Sequence, residues 1–205
     1  LFETIMPMLK NNNIGAIIKS PMDLVIGTLR LFDLQVPDNT TSLPQHYQLY
    51  QNLLHELSMQ GLELFEPYDV AGHDPYFQLP DFQRYWISSN YLANRYKFIE
   101  HLLVGIDLNG DELKLDFVQF VRDNCSNPAN ATILVQELVS WLLPITLGSD
   151  RFNYFKDAVL LDQLSEINWS MEWNNYINTN NDMNVRLQLD ALALAMMQSP
   201  EYQLY

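Results

Sequence analysis

Ser20-Pro21-Met22-Asp23-Leu24-Val25-Ile26-Gly27-Thr28-Leu29-Arg30-Leu31-Phe32 is the stretch that decides the fold class. Serine, then proline, then an acid at the third helical position is the pattern of a helix start. Ser20 caps, Pro21 sits where its missing N–H costs nothing, and Asp23 stands at N3. Met22, Val25, Ile26, Leu29 and Phe32 then recur at the spacing of one helix face. Leu24 and Leu31 add apolar positions off that face, so burial on more than one side is expected.

The same period runs through most of the chain. After a polar break from Pro37 to Ser42, Tyr50, Leu53, Leu54 and Leu57 mark a second helix that should stop at Gly61. Ser88 or Ser89 caps a third, with Leu92, Tyr96, Ile99 and Leu103 as its stripe and Gly105 as its end. Asp116 caps a short helix through about Asn124. Asn127-Pro128 opens another, with Val135, Leu138, Val139 and Leu142 inward until Pro144. Ser149 is expected to cap a helix from Asp150 to Leu164, with Phe152, Phe155 and Val159 inside. Asp182 opens a last long helix through Val185, Leu189, Leu192 and Met196, and Ser199-Pro200 starts a final turn. The Asn-rich stretch from Asn174 to Asn184 reads as an exposed connection. Trp141, Trp169 and Trp173 are expected in helix packing. Strands are not required, although short ones near Leu64 to Phe65 or Leu113 to Leu115 fit. The expectation is an all-α fold, an irregular multi-helix bundle with one long ordered loop, over a single helical domain spanning 1–205.

Composition narrows the function classes. A 205-residue chain with 48% hydrophobic residues can bury one sizeable core, or one core plus a small appendage. Its apolar runs, such as Leu192 to Met197, are too short to span a bilayer. A formal charge of -14 repels nucleic acid and anionic membrane surfaces, and suits solubility, a cationic partner or calcium. Cys125 is the single cysteine, so an intrachain disulfide and a cysteine zinc site are both excluded. Leu1 is not a start methionine, so the chain is expected to be a mature product or a fragment.

The segment 62–87 breaks the helical period. Pro67, Gly72, Pro75 and Pro80 punctuate it, and long ordered loops are commonly functional. It gathers Glu63, Glu66, Asp69, His73, Asp74 and Asp81 with Tyr68, Tyr76, Phe77, Tyr85 and Trp86. Carboxylates beside aromatic platforms suit sugar binding, and paired carboxylates can hydrolyse glycosides. The plainer reading is a loop that packs its aromatics beneath itself and leaves its acids in water. Lys19, just before a buried helix, needs water or a partner such as Glu66 or Asp69, either as a structural ion pair or as part of a site. The candidate ligand- or partner-binding residues are therefore Lys19, Glu66, Asp69, His73, Tyr76, Arg84, Trp86 and Arg95.

Other motifs carry less. Asp107, Asn109 and Asp111 around Gly110 invite calcium, yet neither register of the twelve-residue EF-hand loop places its ligands. A turn leading to the Asp116 cap accounts for the same residues. His55-Glu56 would open a zinc-protease helix, but Met59 stands where the second histidine is required. Sequons at Asn39, Asn130 and Asn168 are expected by chance in an Asn-rich chain. Neither a phosphate-binding glycine loop nor a nucleophile elbow is present, and no cofactor is expected.

Four segments, in order, resemble the bacterial domain of unknown function 1800 family. They are Ile18-Lys19-Ser20-Pro21 with the helix Asp23 to Arg30; Met59-Gln60-Gly61 with Leu64-Phe65-Glu66-Pro67 and Val70-Ala71-Gly72; Trp86-Ile87-Ser88-Ser89 with Leu92 and Arg95; and Leu192 to Ser199 with Pro200-Glu201-Tyr202-Gln203. His73 departs from the pattern, standing where the family usually has tryptophan. The style of the segments is most similar to members from Bacteroidetes. The resemblance implies a helical fold, an N-terminal half upstream, and export beyond the inner membrane. It also implies a protein partner, such as an exported sulfatase- or phosphatase-related protein, and it supplies no catalytic residues. The expected function is a binding or assembly module of the cell envelope or surface, located in the periplasm, at the outer membrane or outside the cell. The alternative is a carbohydrate-binding or hydrolase-like protein using the loop 63–86. Enzyme activity is left open by the sequence.

Overall fold

The start signal at Ser20 forms as a reciprocal cap. Ser20 Oγ accepts the Asp23 N–H at 3.2 Å, and the Asp23 carboxylate accepts the Ser20 N–H at 3.2 Å and the Ser20 hydroxyl at 2.6 Å. Helix α1, Pro21–Leu31, follows. The computed structural model describes residues 14–66 and 84–205. Among the described residues the protein is all-α, with eight α-helices and one two-stranded ribbon. No helix among them is long and apolar enough to cross a membrane. The described residues divide into two compact units, one within Ala16–Leu115 with Tyr205, the other Asp116–Leu204 with Ile14 and Gly15.

The first unit holds α1, α2 (Leu43–Met59), a 3-10 turn at Arg84–Ile87, α3 (Ser89–Val104), and the strands β1 (Ile106–Asp107) and β2 (Glu112–Leu113). The buried stripe of α2 is Leu49, Leu53 and Leu57, whereas Tyr50 and Leu54 are exposed, contrary to the sequence expectation. Glu56 shares the buried face, and its Oε1 meets His101 Nδ1 of α3 at 2.8 Å. On α3 the buried face runs through Arg95, Phe98, Ile99 and Leu102. The expected positions Leu92 and Tyr96 are only partly covered, because the helix is turned to enclose Arg95. As expected, α3 ends at Gly105, whose φ of +115° suits glycine.

The segment expected near Leu113 pairs antiparallel, with Ile106 opposite Leu113. Asn109 and Gly110 both have positive φ, as a two-residue hairpin turn of this hand requires. Asn109 Nδ2 donates to Gln48 Oε1, and Asn52 Nδ2 donates to the Asp107 carbonyl, each at 3.1 Å. The Asp107, Asn109 and Asp111 run is thus a turn pinned to α2. Among the described residues, no group of three or more His, Cys, Asp or Glu side chains is placed to hold a metal.

The second unit holds α4 (Phe117–Asn124), α5 (Ala131–Leu142), α6 (Ser149–Asn153), a π-helical segment (Tyr154–Leu160), α7 (Glu166–Thr179), α8 (Met183–Met197) and a 3-10 turn at Glu201–Gln203. Helix α8 is its spine and packs on the π segment, α4 and α7. Asp116 caps α4 as expected, accepting the Gln119 N–H at 3.2 Å.

Three local expectations in this unit change. Helix α5 starts at Ala131, capped by Asn130, rather than at Asn127-Pro128. The carbonyls of Pro128 and Ala129 are taken by α7 instead, from Trp169 Nε1 at 2.7 Å and Ser170 Oγ at 2.6 Å. The helix expected from Asp150 to Leu164 is a short α-turn that widens into π geometry. In a π turn, residues five apart come into line, so Phe155 and Leu160 can both be fully buried. Last, Asn174 to Thr179 is helix and not connection. Trp169, Trp173 and Tyr176 bury at i, i+4 and i+7 and carry the asparagines between them into α7, which closes at left-handed Asn180.

Candidate functional site

In the first unit, three distant chain segments meet on the N-terminal half of α3. Tyr91, Asn94 and Arg95 lie at i, i+3 and i+4, so they share one helix face, and each holds a different piece of backbone. Arg95 Nη2 donates to the Lys19 carbonyl at 2.9 Å, which fixes the chain immediately before the Ser20 cap. Asn94 Nδ2 donates to the Met59 carbonyl at the end of α2. Tyr91 lies over Gly61, where an added Cβ would come within 2.7 Å of its ring. The Tyr91 hydroxyl also meets the Tyr85 hydroxyl at 2.8 Å, and Tyr85 packs edge-on against Trp86. Glycine is required at 61 for a second reason, a φ of +88°.

Both ends of the segment 62–87 are therefore fastened to α3. Trp86 is 4% exposed, held inside the unit. Glu66 and Arg84 are exposed. Asp69, His73 and Tyr76 lie outside the described residues.

Lys19 and Arg95 form the charged centre of this junction. Arg95 is fully enclosed, and burial lowers its pKa to about 10 against the favourable charges of Tyr96 and Asp23. Burial lowers the Lys19 ammonium to about 8, with repulsion from Arg95 adding to the drop and Asp23 opposing it. The Lys19 Nζ sits 5.9 Å from the centre of the Tyr205 ring. Tyr205 returns from the chain end, donating its N–H to the Ile17 carbonyl at 2.8 Å. Burial and a hydrogen bond to the Asp23 carboxylate hold its phenol above the ordinary tyrosine range.

Two cations, one carboxylate and one neutral phenol make a fixed positive centre in an acidic protein. The Ser20 hydroxyl is committed to the Asp23 carboxylate, so it serves the cap and not nucleophilic chemistry. Gln60, between Met59 and Gly61, is fully buried, and neither polar atom of its amide has a hydrogen-bond partner among the described residues. Tyr91, Asn94 and Tyr205 were missed in the sequence, and Gln60 was noticed only as part of the segment Met59-Gln60-Gly61. Each is an ordinary polar or aromatic residue, with no local signal that it would be enclosed at a junction.

The fold and this junction define a class: an all-α protein in which three of the four resembling segments are tied together by one helix face. The family model described as "Protein of unknown function (DUF1800)" matches residues 4–204, and the chain belongs to that family. No curated protein and no solved structure matches the chain.

Proposed function

We propose that this chain is a binding and assembly module of the bacterial cell envelope or surface. In this reading it is exported to the periplasm, the outer membrane or the exterior, where it engages a protein partner. The observation that carries the reading is apolar surface beyond what the second unit needs for its own core. Ile167 and Met171 on α7 are 70% and 65% exposed, while Trp169 and Trp173, two residues further along, fill the interior. Two residues correspond to about 200° of helix rotation, so α7 is apolar on opposite faces. Met183 and Leu187 of α8 are also largely exposed. Clustered apolar side chains on a surface mark interaction sites, whereas isolated ones need no explanation.

The carbohydrate-binding or hydrolase-like alternative needs an open aromatic face in the 63–86 stretch. Burial of Trp86 removes one such platform. The resemblance offers an exported sulfatase- or phosphatase-related protein as a first partner to look for.

Affinity purification from native membrane and surface fractions, followed by mass spectrometry, tests the reading. A stoichiometric exported partner is the expected result. Purification of the protein alone would reject it.

A further inference from the structure

We propose that the groove between α7 and α8 receives a cationic amphipathic helix of a partner protein, its apolar side seated on Leu164, Met171 and Leu187 and its lysines or arginines facing Asp162 and Glu172. The proposal rests on the assembly reading above and names the chemistry of what is bound.

The groove encloses about 440 Å³ and is lined by residues of both helices and of the turn before α7. Leu164, Met171 and Leu187 are all exposed along it, with Leu187 at 71%. Ile167 and Met171 on α7 lie at i and i+4, with Leu164 in the turn just before that helix, and Met183 and Leu187 on α8 also lie at i and i+4, so each helix carries a short exposed apolar stripe. Two parallel stripes with a trough between them suit a third helix, which presents its own apolar ridge at the same period. Methionine and leucine side chains adapt to such a ridge with little loss of contact.

Charge selects the kind of helix. Asp162 and Glu172 are the charged residues lining the groove, and both are acidic. Nearby basic side chains are already engaged: Arg186 with Asp116 and Asp182, and Lys156 with Asp157 and Glu166. Residues 116–204 carry eleven acidic and four basic side chains, so the surrounding field also favours a cationic occupant. Glu172 accepts from Asn184 Nδ2 at 2.9 Å, which fixes that carboxylate across the two helices.

The test uses the full chain and three labelled probes of about fourteen residues, or four helical turns. One is an amphipathic Leu/Lys peptide, one a Leu/Glu peptide with the same apolar face, and one a scrambled Leu/Lys peptide. Fluorescence anisotropy is expected to show binding of the ordered Leu/Lys peptide alone. Its affinity should fall about ten-fold or more in Leu187→Glu and in Met171→Glu, as expected for loss of an anchor. It should also weaken between roughly 0.05 and 0.3 M NaCl as the charges are screened. Both substitutions lie at exposed helical positions, and circular dichroism checks that the fold is kept. Equal binding of the Leu/Glu peptide, no binding of any probe, or binding indifferent to both substitutions would overturn the proposal. So would self-association of the chain in sedimentation that Leu187→Glu abolishes, since the groove would then seat a second copy.

A photo-crosslinker at position 187, with one at exposed Tyr47 as control, separates this proposal from the reading beneath it. A purified partner that crosslinks at neither position, or at 187 through an acidic segment, leaves the assembly reading standing and rejects the cationic helix. Peptide binding at the groove without any envelope partner does the reverse.

Discussion

Replacing Lys19 with methionine should stabilise the protein at neutral pH, and the gain should vanish as pH rises. The methionine keeps the apolar stem that packs toward Tyr205 and removes the ammonium beside Arg95. Burial and that neighbour bring the folded-state pKa from 10.5 to about 8. At pH 7 the lysine is charged in both the folded and unfolded chain, so folding bears the full cost of enclosing the charge. Between about pH 8 and 10.5 the unfolded chain holds the proton and the folded chain has released it. Stability contributed by Lys19 therefore rises with pH across that window. A shift of this size corresponds at most to about 3 kcal/mol. The side chain is only partly enclosed, and solvent screening reduces the expected effect to roughly 1–2 kcal/mol. Urea denaturation of both proteins, followed by circular dichroism at pH 7, 8.5 and 10.5, measures the difference directly. The variant should be more stable at pH 7, with the gap closing by pH 10.5. A gap that stays flat with pH, or a variant less stable at pH 7, would refute the reasoning and make the Lys19 charge a stabilising element of the junction.

Other substitutions follow from the same unit. Gln60→Met should raise stability by about 1–3 kcal/mol, because a buried amide that finds no partner among the described residues costs that much, and a loss on denaturation would show that the amide is satisfied. Gly61→Ala should destabilise by more than about 1 kcal/mol, since alanine meets both the positive φ and the Tyr91 ring. Gly61→Ala with Tyr91→Leu in a double-mutant cycle separates the two contributions. Trp86→Ala should cost roughly 3–5 kcal/mol as a core anchor, and a loss below about 1 kcal/mol would mark an exposed platform instead. Cys125, whose thiol is pushed up to about 12 by burial and by Glu137, should react with a thiol reagent at pH 8 far more slowly than a free cysteine. Labelling as fast as the unfolded control would contradict that.

Helix positions and caps were written in the sequence because they depend on neighbours along the chain. The Ser20 box, the Asp116 cap, the Gly105 stop and the final helix after Asp182 all formed where the local pattern put them. The pattern also placed Lys19 and Arg95 among the candidate residues, although 76 positions separate them. What local reading could not supply was which way each helix faces and what each polar residue meets. The sequence marks Arg95 only as a candidate binding residue, and the fold turns it inward to the Lys19 carbonyl. The Asn174 stretch looked like a connection until Trp169, Trp173 and Tyr176 drew it into α7. The loop-end clamp at Tyr91 and the return of Tyr205 to Asp23 both join residues far apart in sequence. Packing decided them, because burial rewards whichever face a neighbouring element covers, and that neighbour is set by the folded chain and not by the local repeat.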